Sequence, residues 1–343
     1  MKKERLEEIL AGIRGKTALV IGDFCLDGYW HADMERSRLS LETPRFPRPV
    51  TKERYSPGAG GNVAWNLKEL GFQVIGLSVL GDDWRAGLLK EALAQRGIST
   101  EFFYSSPDWD RVTPAYIKPI ISSSESSQED ARLDFRNYEP PSERIIERVS
   151  SDLEGALSRA EVVVIEDQLK DGLISSSTLR ERLNRAAGRV EATFLVDSRY
   201  RIEQFKRMIA KPNIAELRRS FPEAGEDRDF DPALRRLCRV LAGPVYVTAG
   251  ERGAYLLSSP QAEIEEIPTI GLSPPVDITG AGDSFMAGLA AALAGGSSLK
   301  EGGLIANMAA SVSVKKLNVT GTASGEEILS RYEDFRELIG SSD

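Results

Sequence analysis

The chain has 343 residues, 41% hydrophobic and 28% charged, which is enough apolar material for one large α/β domain or two small ones. Forty-four Lys plus Arg against 52 Asp plus Glu give a net charge of −8, which argues against the basic surface that sequence-independent nucleic-acid binding needs. A single histidine, His31, excludes histidine-rich metal sites and makes a carboxylate the expected general base.

Residues 3–13 are expected to form a first helix, because Leu6, Ile9, Leu10 and Ile13 fall on one face. The apolar run 18–22, ending at Asp23, reads as a buried strand. A helix is expected over 62–70, stopped at Gly71, then a strand over 74–80 and a helix over 84–96, stopped at Gly97. Residues 161–165 and 192–197 read as further buried strands, with 173–187 helical between them. A helix over 232–241 leads into a strand over 245–248, and helices over 285–294 and 299–314 close the pattern. Strands alternating with helices predict a mostly parallel sheet covered on both faces. Two segments break the alternation, residues 28–55 and 100–138. They are rich in Arg, Pro, Ser and alternating β-formers, and read as an antiparallel flap over one unit spanning 1–343, with a hairpin tip at 122–128.

The longest small-apolar run, 285–294, falls short of the roughly 18 residues a membrane span requires. The first eight residues carry acids and no apolar core, so no secretory signal is expected. Cys25 and Cys238 are too few for a disulfide framework and suit a reducing compartment. A soluble cytoplasmic protein is the expectation, without a membrane or nucleic-acid partner.

The strongest motif is Asp277-Ile-Thr-Gly-Ala-Gly-Asp283-Ser-Phe-Met-Ala-Gly288. A glycine-rich turn running into a helix gathers unpaired backbone N–H groups and the positive end of the helix dipole, a place that stabilises a transferring phosphoryl group. Asp283 at the helix start is a favourable cap in any protein. Beside such an anion hole it is also what hydroxyl phosphorylation needs, a carboxylate that takes the proton. Pro57-Gly-Ala-Gly-Gly-Asn62 opens another helix; Gly60 and Gly61 would let a polar ligand approach the backbone, and Asn62 offers a donor and an acceptor. It makes a poor dinucleotide fingerprint, and Gly15-Lys16-Thr17 precedes its strand, unlike a P-loop.

Asp23 and Asp27, at the end of the first strand, can accept paired hydrogen bonds from sugar diols or serve as turn caps. Asn213 and Glu216 form a capping-box pattern, and Glu216 could order water around Mg²⁺. Thr248, Gly250 and Gly253 follow a strand, where loops of α/β sheets meet ligands. Lys170, Arg199, Arg132 and Arg136 are candidate anion contacts, although most such residues are simply solvated.

Taken together, these motifs resemble those of the PfkB (ribokinase-like) carbohydrate kinases over nearly the whole chain. Asp277–Gly288 resembles their C-terminal signature, departing at Ile278. Asn62, Ala64, Gly71 and Gly81 match the spacing of the N-terminal signature, with 57–61 a slightly altered glycine run, and Asn213 and Glu216 match N-x-x-E. Residues 18–30, Pro44, Arg132-Leu-Asp134, Lys170 and the extra N-terminal helix look most like the D-glycero-β-D-manno-heptose 7-phosphate kinase branch. Arg199 departs from that branch's usual Lys, and no nucleotidyltransferase domain follows in these residues.

The resemblance implies a three-layer α/β/α fold with a mostly parallel central sheet and a small β-sheet lid, often used for dimer contacts. It implies that Asp283 removes the hydroxyl proton while Gly280, Ala281 and Gly282 hold the phosphoryl group. Asn213, Thr248, Gly250, Gly253 and Asn307 would serve the ATP site, and Glu216 would help position Mg²⁺. Asp277 and Thr279 match positions that hold a monovalent cation such as K⁺ in some members. Asp23, Asp27, Gly60, Gly61, Asn62, Arg132 and Lys170 would face a sugar or sugar phosphate. A nucleoside or a fructose- or ribose-type sugar as acceptor, and a non-catalytic sugar- or nucleotide-binding protein, are the competing readings.

Overall fold

The computed structural model describes residues 1–106, 111–123, 126–222, 230–317 and 320–340. Helix α1 (Lys3–Ala11) precedes strand β1 (Thr17–Gly22), and β2 (Phe24–Asp33) and β3 (Val50–Ala59) follow as a long pair. Helix α2 (Gly60–Glu69), β4 (Gln73–Gly81), α3 (Trp84–Gln95) and β5 (Ile98–Ser106) continue the alternation. Then come β6 (Ala115–Ser122), β7 (Ser127–Glu129), β8 (Leu133–Phe135), α4 (Glu143–Leu157) and β9 (Val162–Asp167). The later elements are α5 (Ser177–Ala187), β10 (Thr193–Ser198), β11 (Ile209–Ala210), α6 (Ile214–Ser220), α7 (Asp231–Leu241), β12 (Val245–Thr248), β13 (Ala254–Leu257) and β14 (Glu265–Ile267). Helices α8 (Ala281–Ala294), α9 (Leu299–Ser313) and α10 (Gly325–Gly340) complete the chain.

The large sheet runs β14-β13-β12-β11-β10-β9-β1-β4-β5 and is parallel except where β13 pairs with β12 and β14. Its central strands are apolar at successive positions because both faces are covered. Ala18 and Val20 of β1 pack with α1, α2, α8 and α9 residues, while Leu19 and Ile21 pack with α4, α5 and α7 residues. The helix–sheet–helix layering expected from the sequence is therefore present.

The flap differs from its expected outline. Residues 98–106 belong to the large sheet as β5, paired parallel with β4, so the expected flap segment 100–138 begins too early. The reason is local: 98–106 mixes Ser, Thr and Glu with the β-formers Phe102, Phe103 and Tyr104, a composition that an edge strand of the large sheet and a flap strand share. The second sheet runs β3-β2-β6-β7, with β8 also paired to β6, and starts at Phe24 rather than at residue 28. It is mixed rather than antiparallel, because β2 and β6 pair parallel. Residues 124 and 125, at the expected hairpin tip, lie outside the described residues. Helices α4 and α10 fall in segments where the sequence reading assigned none. Among the described residues, no helix is long and apolar enough to cross a membrane.

Candidate active site

A cavity of about 640 Å³ opens between the carboxyl ends of the parallel strands and the underside of the five-stranded lid. This is where open α/β sheets bind ligands, and the volume suits a small polar substrate together with part of a nucleotide. Tyr29, Tyr116, Lys118, Arg132 and Arg136 reach it from the lid side, and Asp197, Arg199, Lys211 and Asp283 from the sheet and helix ends.

Asp283 stands in the first turn of α8. The turn before it is shaped by Gly280, whose φ of +80° is left-handed and whose hypothetical Cβ would lie 2.6 Å from Thr320 Cγ2. The helix ladder begins with the Ser284 N–H donating to the Gly280 carbonyl, 2.9 Å, so the amides of Gly282 and Asp283 open the helix without intrahelical acceptors. Asn62 Nδ2 donates to Asp283 Oδ2 at 2.9 Å, joining the start of α2 to the start of α8. Burial pushes the Asp283 carboxyl up to about 6; Asn62 and the cations Lys211 and Arg199 pull it down, and Asp197 pushes it up. A carboxylate poised there exchanges protons near neutral pH.

Lys211, at the end of β11, is buried and pairs with buried Asp197 at 2.8 Å. Burial alone would lower its pKa, but Asp197 and Glu216 raise it, so the ammonium stays charged. Glu216 is buried in α6, and its Oε2 accepts the Asn213 N–H at 2.8 Å while Asn213 Oδ1 accepts the Glu216 N–H at 2.9 Å. The capping box and the place on the cavity wall thus coexist in the same two residues. Burial and the Asp197 charge raise the Glu216 pKa.

At the lid end, Arg132 grips Asp134 through two bonds of 2.6 and 2.9 Å and lies over the Tyr116 ring, and Arg136 donates to the same carboxylate. Two guanidinium groups on one carboxylate leave a surplus positive charge. Lys118, Lys170 and Arg199 also reach the cavity, and among the described residues none of the three has an ion-pair partner. Asp27 faces the same space, its carboxyl pushed up to about 6 by burial and drawn down by Lys118.

The structure therefore brings Asp27, Asn62, Arg132, Lys170, Asn213, Glu216, Thr279, Gly280, Gly282 and Asp283 to one cavity. Ala281 lies in the same turn. Others stand elsewhere. Asp23 is not on the cavity wall: its Oδ2 accepts the Gln168 and Leu169 N–H groups at 2.9 and 2.8 Å, and its Oδ1 accepts Leu173 N–H at 3.0 Å. The expectation that it faces the sugar is corrected; it anchors the loop that carries Lys170. Its carboxyl is pushed up to about 7 by burial and by Asp167, against the pull of those amides. Gly60 and Gly61 are buried at the start of α2 behind Asn62, not lining the space. Asp277 accepts the Thr279 N–H at 3.0 Å beside the cavity.

Thr248 abuts Asn213 through a parallel bridge, and Gly250 and Gly253 bracket the turn beyond it, all outside the cavity wall. The Asn307 amide is committed to the Ile267 and Pro268 carbonyls at 3.1 and 2.9 Å, so its donors fix a connection rather than face a ligand. Sequence reasoning missed Lys211, Asp197, Lys118 and Tyr116. For Lys211 the signal was available: a charged residue immediately before Pro212-Asn213, at the end of an apolar strand.

The backbone is that of the ribokinase-like fold. The chain matches the Arabidopsis thaliana ribokinase complexed with ribose and ATP at a TM-score of 0.69 and 19% identity, covering 92% of this chain and 98% of that one. The phosphofructokinase-2 from Escherichia coli in complex with fructose-6-phosphate matches at 0.68 and 18% identity, over 94% and 99%. At sequence level, the model of the pfkB family carbohydrate kinases matches residues 29–324, and the chain belongs to that family. The bifunctional protein HldE of Pelobacter propionicus is 31% identical over 335 residues, covering 96% of this chain and 66% of that protein. That of Chromohalobacter salexigens is 33% identical over 311 residues, covering 89% and 61%. The chain thus spans a little under two thirds of the length of these relatives.

Proposed function

We propose that this chain transfers the terminal phosphoryl group of ATP to a hydroxyl of a sugar that already carries a phosphate, D-glycero-β-D-manno-heptose 7-phosphate being the acceptor its sequence resemblance favours. The observation that carries the reading is one cavity that holds both a buried carboxylate at a helix start and, among the described residues, cations without an ion-pair partner. Asp283 sits beside a glycine turn at the positive end of α8, Lys118 on the lid and Lys170 on the loop after β9 line the same cavity, and Arg199 lies near enough to Asp283 to act on its carboxyl.

In this reading the acceptor hydroxyl gives its proton to Asp283 as its oxygen bonds to the γ-phosphorus. The bond from that phosphorus to the bridging oxygen breaks, and ADP leaves with the electron pair. The Gly280–Gly282 turn holds the equatorial oxygens, where charge resides in the transition state, through its open amides such as that of Gly282, while the Ala281 N–H donates to the Ile278 carbonyl at 3.2 Å and shapes the turn. Asn62 holds the Asp283 carboxylate in register, and Asp27 accepts hydrogen bonds from the sugar. The nucleotide extends from the cavity past Asn213 towards Thr248, Gly250 and Gly253, with Asn307 supporting the connection behind them. When bound, Mg²⁺ would supply charge neutralisation for the phosphates. Glu216 on the wall and Asp197, whose buried Oδ1 has no hydrogen-bond partner, are hard oxygen donors suited to a hydrated ion. Asp277 and Thr279 would hold a monovalent cation such as K⁺. Exposed Leu39, Leu41 and Phe46 on the lid connection support a homodimer formed through the lid, in a cytoplasmic protein built as one kinase unit.

The test is an ADP-release assay across sugars, sugar phosphates and nucleosides, run on the parent and on Lys170→Met and Arg199→Met. The parent should prefer a phosphorylated sugar, and each variant should raise KM for it by about 10- to 100-fold while leaving slow turnover of the unphosphorylated sugar little changed, as expected for losing one charge-assisted contact. Preference for a nucleoside, or equal losses with both sugars, would reject a phosphate-bearing acceptor.

A further inference from the structure

The glycine turn carries a second feature that the motif does not include. A Cβ built on Gly282 would meet nothing nearer than Lys211 Nζ, at 3.5 Å, an ordinary contact. The fold therefore tolerates a side chain at 282. Glycine there instead keeps open the space between the turn's amides and a buried ammonium. We infer that Lys211 is a catalytic residue whose ammonium, held by Asp197, closes over the transferring phosphoryl group from the side opposite the Gly280–Gly282 amides. This rests on the kinase reading and adds a residue to it.

Three observations carry the assignment. Lys211 is only 3% exposed, yet it lies on the cavity wall with Asp283 and Gly282. A buried ion pair is a weak source of stability, since desolvation offsets the attraction, so packing alone gives little reason for one here. Its surroundings are a surplus of carboxylates: Asp197 in contact, with Glu216, Glu166 and Asp283 facing the same ammonium. Even with Arg199 nearby, four acids outnumber the cations around them, and a phosphoryl group would be repelled unless a buried cation points at it. Asp197 fixes the ammonium at 2.8 Å through one oxygen, which spares the reaction the cost of ordering a flexible lysine. Charge on the equatorial oxygens then meets a cation on one face and amide dipoles on the other.

The bland alternative is that Lys211 only neutralises Asp197. Lys211→Met and the double variant Lys211→Met/Asp197→Asn separate the two. Removing the lysine alone orphans a buried carboxylate and should lower the melting temperature; the added Asp197→Asn should restore it. Turnover should fall about 10²- to 10³-fold in the single variant, the scale of losing one transition-state contact, and in the double variant stay at least about tenfold below Asp197→Asn alone, which carries any loss at the metal; equal turnover in those two would overturn the assignment. Affinity for a non-hydrolysable ATP analogue should weaken in both variants, while ADP binding stays within about threefold of the parent. Turnover within tenfold of the parent in the stable double variant, or unchanged preference for the analogue over ADP, would overturn the assignment and leave the kinase reading intact. If Lys211→Met fails to fold, the double variant measured against Asp197→Asn decides. A parent that binds neither nucleotide would sink the kinase reading itself.

Discussion

Acidification should switch the transfer off at a pH set by Asp283, well above the range in which an ordinary aspartate loses its charge. With its carboxyl at about 6, the base is almost fully ionised at pH 8 and only about one tenth ionised at pH 5. An unperturbed aspartate, near 3.9, would still be over nine tenths ionised there. The acid limb of kcat/KM, which reports the free enzyme, should therefore bend near pH 6. A sugar phosphate acceptor has its own second ionisation near pH 6, so the limb alone does not identify the group. Asn62→Ala does. That substitution removes the 2.9 Å hydrogen bond that favours the ionised form, and the base should become harder to deprotonate. Such a bond to a charged group contributes about 1.5–3 kcal/mol, so the limb should climb by about one to two pH units, whereas the substrate's ionisation would not move. Stability follows with the opposite consequence. The folded-state pKa is raised above the unfolded value, so the ionised form is penalised in the fold. Asp283→Asn should therefore melt above the parent at pH 8, the gap closing as pH falls from about 6 to about 4. An acid limb near 4, or a limb unmoved in Asn62→Ala, would refute the placement of the base.

The two outer glycines of the turn should separate fold from chemistry. Gly280→Ala puts a side chain on a left-handed residue against Thr320 and should destabilise by about 1–3 kcal/mol, read as a lower melting temperature. Gly282→Ala meets nothing closer than 3.5 Å and adds a better helix former, so the melting temperature should hold or rise, yet turnover should drop at least about tenfold because the methyl group occupies the phosphoryl space. Ala59 carries a φ of +50° with ψ at −125°, a conformation rarely open to a side chain, at the entry to α2. Ala59→Gly should therefore stabilise by about 1 kcal/mol in denaturant titration, and a loss of stability would contradict strain at that residue.

Much of this was legible before any coordinates. The alternation of apolar runs and helical faces yields the layered sheet because β1 and β9 are apolar on both faces, a pattern only a covered parallel sheet explains. Asp283 and its turn were legible because glycine spacing, helix start and carboxylate occur within a few residues. What sequence could not show was direction. Asp23 and Asp27 are four apart and chemically alike, yet only Asp27 turns into the cavity. Lys211 and Asp197 are distant in sequence and become partners only through the pairing of β10 with β11. β5 reads as flap in sequence because an edge strand and a lid strand share the same β-forming composition, and only pairing with β4 tells them apart.

The divided fate of the two aspartates explains how the acceptor end of the cavity is held together. β1 ends at Gly22 and β2 begins at Phe24, so Asp23 occupies the step where the chain leaves the large sheet for the lid. Its N–H donates to the Glu166 carbonyl, and its carboxylate gathers three amides from the segment after β9. Arg201 secures the same segment from the other side, pairing with Asp167 at 2.7 Å and donating to the Lys170 carbonyl. The loop bearing Lys170 is thus pinned to the root of the lid strand that bears Asp27. In the proposed reading, a sugar bound by Asp27 and a phosphate met by Lys170 would therefore stand at a separation fixed by the Asp23 and Arg201 bonds to the loop backbone. That rigidity lets a chain of net charge −8 present a compact cationic pocket, because local placement and not overall charge decides where an anion settles.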